Sequence, residues 1–256
     1  MPFTLAHPAA ILPLRGRHYL RTAPLIIGAM VPDLPYFLPS NLERHVPETH
    51  EFAASYGTDL ALGYLMLVVI FVLRRPLTAL LSPRSRWLCL NALAPFRAQW
   101  SAWAFAAPAI LIGVWSHLLW DSVTHSDGWV VRRVSALSAP VTVAGYTGPM
   151  CHVLQYISSG IGLIVVAVWF WRLPPPARPP VAEGAARSAV GPILVLVATA
   201  AVLIGAVQAR GYFQRTSLIY LSAHMFLTHS LAWFAALYLV AGIVIALEHP
   251  SEPAAR

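Results

Sequence analysis

The stretch Ser116–His117–Leu118–Leu119–Trp120–Asp121–Ser122–Val123–Thr124–His125 holds the residue types and spacing with the most chemical capacity in this chain. Side chains four apart on a helix share a face, so His117 and Asp121 can chelate one ion or share one proton. An imidazole beside a carboxylate suits zinc, manganese or iron, which leaves the metal open. His125, a further turn along, drifts round the helix and fits a proton carrier or a group that orients the ligands. Asp33 lies in Val31–Pro32–Asp33–Leu34–Pro35, where prolines on both sides would present its carboxylate at a fixed break. The same aspartate also suits an ordinary turn.

Other candidates are plainer. His7 can be the polar start of a helix, and His50, among acids in Glu48–Thr49–His50–Glu51, reads by itself as a solvated loop residue. Asp59 follows Thr58 and reads as a helix-start carboxylate stabilising exposed amides. His224 and His229 stand about 140° apart round a helix and cannot both enter one small site. His152 is expected at the membrane interface, and His18, His45 and His249 are given no role. There is no glycine-flanked serine elbow, phosphate loop or H-E-x-x-H pair. Cys89 and Cys151 are too distant for a metal-type spacing and support no disulfide framework.

These groups must be positioned by helices in a bilayer. The chain is 58% apolar, with ten acids and seventeen bases in 256 residues, too few charges to cover a soluble domain of this size. The net charge of +7 is spread between long apolar runs instead of along one face, which argues for topology signals and against nucleic acid. Spanning the hydrocarbon core takes roughly 20 apolar residues. Five stretches approach that: Asp59–Leu73, Trp103–Val123, Leu154–Trp171, Val190–Ala209 and Leu218–Leu247. The first reaches full length only if its polar end, from about Phe52, continues the helix. Met1 to Leu14 carries no basic residue ahead of an apolar stretch and does not resemble a cleavable signal.

Between the spans lie a basic loop, Arg74 to Gln99, and a proline-rich linker, Leu173 to Ser188. The positive-inside rule puts both in the cytoplasm. Alternation then places the His117 end of the second span, and the loop from Thr124 to Val153, outside. Near the N-terminus Phe3–Leu14 and Ala23–Leu38 are apolar but broken by five prolines, so neither crosses comfortably alone. A re-entrant helical hairpin fits, with Arg15, Arg17, His18 and Arg21 at its inner turn, and would return His7 and Asp33 to one side. The rival is a single crossing by Ala23–Leu38 that strands His7 in the cytoplasm. The expected architecture is an all-α polytopic bundle of about five spanning helices plus this hairpin. Residues 1–172 would form the metal-site-bearing membrane domain, 173–189 the linker, and 190–256 a two-helix membrane segment packing on the same bundle.

The chain resembles a bacterial family of uncharacterised membrane proteins. The likeness rests on Met1–Pro2–Phe3–Thr4–Leu5–Ala6–His7–Pro8–Ala9, on Pro32–Asp33–Leu34–Pro35–Tyr36–Phe37 and on His117–Leu118–Leu119–Trp120–Asp121–Ser122, and runs through about Gly162. More distantly it is similar to membrane-bound metal-dependent hydrolases, whose pattern has an early histidine, a Pro-Asp pair, a Thr-His-Ser phrase and a helix with Ser-His and an aspartate four on. That resemblance implies metal ligands at His7, Asp33, His50, His117 and Asp121. Two positions depart from it. Leu34–Pro35–Tyr36 stands where the pattern has an acid and a histidine, and Glu51 stands where it has a serine.

Together these readings give an expected membrane hydrolase of the bacterial inner membrane. It would hold one or two divalent ions such as zinc, manganese or iron and act on a lipid or lipid-linked ester or phosphoester at the outer face, with His125 as proton carrier. A non-catalytic transporter or metal- and proton-handling protein would use the same residues. Haem held between His117 and His224 is a third expectation.

Overall fold

The structure, a computed structural model, describes residues 4–14, 20–38, 40–143, 146–174, 189–215 and 219–248, with the side chains of 40–41 and 212–224 left out. The hairpin turn at Arg15, Arg17 and His18, most of the proline-rich linker, His249 and the side chain of His224 therefore lie outside the described residues.

Among the described residues the architecture is all-α apart from one two-stranded hairpin, Pro140–Val143 paired antiparallel with Tyr146–Pro149. Five helices are long and apolar enough to cross a membrane: Ala54–Val72, Trp100–Thr124, Met150–Arg172, Val190–Gly211 and Met225–Glu248. This is a multi-pass membrane protein. The first does extend beyond its apolar run, through a 3-10 turn at Ala54–Tyr56. The chain forms two compact units, one of residues 3–67 and 99–174 and one of residues 68–98 and 175–256.

In the first unit small residues let backbones meet. A Cβ on Gly28 would overlap the Ile110 carbonyl, and one on Gly113 would overlap the Leu25 carbonyl and the Ala29 nitrogen. The helix Thr22–Gly28 thus lies directly on Ala106–Thr124, as small-residue interfaces permit inside a membrane. Gly63 gives the helix Thr58–Val72 the same approach to Ile110, and Gly162 fits Met150–Arg172 against Ala6. Ile11, Leu12, Leu25, Ala29 and Ala109 fill the core between them. On Met150–Arg172 the side chains of Ile157, Ile161, Ile164, Val165 and Val168 are exposed, an outward apolar stripe suited to lipid.

The N-terminal segment folds as the hairpin reading requires. Thr4–Leu14 is a short apolar helix, and after Thr22–Gly28 a 3-10 segment, Val31–Phe37, follows. The hydroxyl of Thr4 donates to Asp33 Oδ2 at 2.6 Å, which rules out a membrane-thick separation of His7 from Asp33.

In the second unit the helices Val190–Arg215 and Ile219–Glu248 pack together, with Gly205 against Ser230. Gly242 lies on the Pro76 carbonyl, and the Tyr238 hydroxyl donates to the Leu77 carbonyl at 3.0 Å. Here one expectation needs correction. Arg74 to Gln99 is not a loop but two helices, Arg74–Ala79 and Pro83–Ala98. Ser82 accepts the Ser85 backbone N–H at 3.2 Å directly ahead of Pro83, so a capping serine and a first-turn proline start the second helix.

Candidate metal centre

Prolines prepare this site. In a 3-10 turn the carbonyl of residue i takes the N–H of residue i+3. For Ala29 and Pro32 that residue is Pro32 and Pro35, and proline has no N–H to give. Both carbonyls instead engage side chains. His117 Nδ1 stands 2.9 Å from the Ala29 oxygen, so Nδ1 carries a proton and, in the neutral imidazole, Nε2 keeps its lone pair. The Thr49 hydroxyl donates to the Pro32 oxygen at 2.9 Å and lies 3.2 Å from His50 Nδ1. With its one proton spent, Thr49 can only accept from His50, which leaves His50 Nε2 bare as well.

Both bare nitrogens point at carboxylates. His117 Nε2 is 3.1 Å from Asp121 Oδ2 and 3.6 Å from Asp33 Oδ1. His50 Nε2 is 3.4 Å from Asp33 Oδ1 and 3.7 Å from Asp121 Oδ2. Asp33 and His117 are fully buried and Asp121 nearly so. None of these four atoms has a hydrogen-bond partner among the described residues. Four acceptors facing one another in a buried space repel unless a cation joins them. Ligands about 2.1 Å from an ion at the tetrahedral angle are about 3.4 Å apart, and one ligand atom from each of Asp33, His50, His117 and Asp121 lies within 4.8 Å of the others. The cluster could hold a metal ion.

The loop bearing His50 is tied to the same helix as His117. Trp115 Nε1 donates to Ser55 Oγ at 3.1 Å, and that hydroxyl donates to the Phe52 carbonyl. Tyr36 stands beside His50 with ring centroids 5.5 Å apart. Burial and then the nearby charge of Asp33 push its phenol up to about 12, so it remains a neutral hydrogen-bonding group.

One family model, Domain of unknown function (DUF4184), matches residues 1–247. The chain belongs to that family. No curated protein and no solved structure matches it.

Within this DUF4184 chain the other expected site residues are placed as follows. His7 lies outside the group of four, stacked on His117 with ring centroids 3.9 Å apart, its Nε2 3.7 Å from Asp121 Oδ1. Burial, and next the neighbouring His117, lower its pKa to about 4, so the ring is neutral and able to ligate at physiological pH. His125 ends the helix with Nδ1 3.3 Å from Asp121 Oδ1 and Nε2 2.8 Å from Gln155 Nε2. His152 meets the Tyr146 hydroxyl at 3.0 Å. The haem expectation also needs His224, whose side chain lies outside the described residues.

Asp59 is a correction. Its carboxylate caps nothing: it is fully buried, and neither oxygen has a hydrogen-bond partner among the described residues. It shares the helix face of Gly63 and Leu67, the face turned inward. Gln155 was missed. The available signal was a lone amide in the otherwise apolar run Leu154–Trp171, since a polar group in a span normally meets a partner.

Proposed function

We propose that this protein is a metal-dependent hydrolase of the bacterial inner membrane, acting on a lipid-linked ester or phosphoester at the outer face. The observation that carries the reading is the convergence of two bare imidazole nitrogens on two carboxylates, each imidazole held in one tautomer by a backbone-anchored partner. Asp33, His50, His117 and Asp121 would hold zinc, manganese or iron, with His7 beside them as a further ligand on the Oδ1 side of Asp121. Such an ion supplies Lewis acidity to a substrate oxygen and makes a water acidic near neutral pH. The residues around it have separable tasks. Ala29 and Thr49 hold the two imidazoles in orientation, as partners of metal-ligating histidines do. His125 bridges Asp121 and Gln155 at the helix end, where a ring able to take and return a proton serves both halves of a hydrolysis.

The test uses the purified protein in lipid nanodiscs, stripped by chelator and reloaded with zinc or manganese. Expected is metal-dependent cleavage of a lipid ester or phosphoester, lowered at least about 100-fold in Asp33→Asn, since removal of a ligand exceeds the 10–100-fold cost of disturbing its supports. Ion flux in proteoliposomes without any turnover would overturn the hydrolase and leave a transporter. The outer-face assignment has its own check on a background lacking Cys89 and Cys151. In whole cells Ser138→Cys should react with an impermeant thiol reagent and Ser85→Cys should not. The reverse pattern would put the site on the cytoplasmic side.

A further inference from the structure

Asp121 has two oxygens, and they face different neighbours. Oδ2 belongs to the centre described above, 3.1 Å from His117 and 3.7 Å from His50. Oδ1 looks the other way, 3.3 Å from His125 Nδ1 and 3.7 Å from His7 Nε2. On that side lies a small recess lined by His7, Asp121, Thr124, His125, Gln155 and Ser159 together with Trp120. Its wall is more polar than apolar, and it has room for about one water-sized species. His7 is buried between the rings of His117 and Trp120, and its Nδ1 has no hydrogen-bond partner among the described residues.

We propose that this recess is a second metal position, with Asp121 bridging two divalent ions and His7 and His125 completing the protein ligands of the outer one. The inference rests on the metal reading of the first centre, adds to it where the second ion sits, and makes His125 a ligand of that ion in place of a proton carrier. Carboxylate-bridged ions lie about 3.5–4 Å apart, a separation that opposite oxygens of one carboxylate suit. Two imidazoles and one carboxylate oxygen leave further positions open toward the recess, the arrangement of a catalytic rather than a structural ion. Nitrogen and oxygen ligands of this kind select zinc or manganese over calcium or magnesium.

Gln155 is the control on His125. As placed, its amide nitrogen faces His125 Nε2, which keeps the ring proton on Nδ1, 3.2 Å from the Thr124 hydroxyl and 3.3 Å from Asp121 Oδ1. A half-turn of the amide presents its oxygen instead, moves the ring proton to Nε2, and frees the Nδ1 lone pair for an ion. Amide oxygen and nitrogen occupy nearly the same shape, so the exchange keeps the outline of the side chain.

The test is manganese titration of the chelator-stripped full chain in nanodiscs, with bound metal counted by elemental analysis and the spin state followed by electron paramagnetic resonance. The wild type should take up about two ions per chain and show exchange coupling at saturation, as closely bridged ions do. His7→Gln and His125→Gln should each bind one ion with an isolated-ion spectrum, and Gln155→Glu, which accepts the Nε2 proton, should tighten the second ion several-fold. A wild type that binds one uncoupled ion, lost in Asp33→Asn, would overturn the second position and leave the first centre standing. Binding of none would overturn both. Two coupled ions retained in the His7 and His125 variants would also overturn the proposal. Because the wild-type stoichiometry decides by itself, a poorly folding variant does not blunt the result.

Discussion

The two units use the same packing device to different ends. In each, a glycine lets one helix backbone reach another: Gly28 and Gly113 in the first, Gly205 and Gly242 in the second. Yet the first unit buries His7, Asp33, Asp59, His117 and Asp121, whereas the buried polar residues of the second, among those described, are Thr78 and Ser230. An ionisable group within a membrane costs at least about 2.5 kcal/mol at the centre, so an architecture that needed only packing would resemble the second unit. In the first, Asp33, His117 and Asp121 converge with His50 where a cation would offset that cost. The contrast teaches that close helix contact is made without carboxylates or imidazoles in the second unit, so packing alone does not call for those of the first.

The largest effect should follow from removing a ligand of the first centre. His117→Ala and Asp121→Ala are expected to lower metal affinity more than about 100-fold, well beyond the cost of losing a mere supporting group, while folded yield stays near wild type. Elemental analysis of the purified variants reads this directly. Equal metal content in wild type and both variants would erase the distinction between the units.

The paired glycines sharpen it. Gly113→Ala and Gly205→Ala each push a methyl into a neighbouring backbone, and each should destabilise by about 1–3 kcal/mol, the usual cost of overpacking. Only Gly113→Ala should also weaken metal binding, because the backbone nitrogen of Ala29, the residue whose carbonyl fixes His117, lies against Gly113. Thermal denaturation beside metal titration separates the two outcomes. If Gly205→Ala lowers metal affinity as much, the centre depends on both units.

The smallest effects come from single hydrogen bonds. Thr49→Val removes the acceptor that orients His50 and should weaken metal binding about 10-fold, the low end for such supports. Tyr238→Phe loses its bond to the Leu77 carbonyl and should cost about 0.5–1.5 kcal/mol of stability with metal affinity unchanged. A change in metal affinity for Tyr238→Phe and none for Thr49→Val would invert the comparison.

What the sequence determined by itself was everything local. Spans are legible because hydropathy and length are properties of contiguous residues, and the five expected crossings correspond to the five long apolar helices. The His117–Asp121 pair is legible because spacing of four on a helix places two groups on one face. Ser82 ahead of Pro83 is an equally local capping signal, and the helices on either side of it show that a basic composition does not by itself make a loop. Asp59 misled for a different reason. A helix-start aspartate looks the same in sequence whether its side is turned to water or to the interior, and only packing on Ile110 through Gly63 decided that. The meeting of Asp33 and His50 with His117 depends on where distant segments dock: on Gly28 and Gly113 letting two helices touch, and on Pro32 and Pro35 withholding the N–H groups that Ala29 and Pro32 would otherwise accept. Those carbonyls then choose the imidazole tautomers. No periodicity encodes such a choice, because it is made by contacts across 17 and 88 residues, and contacts of that range exist only once the chain has folded.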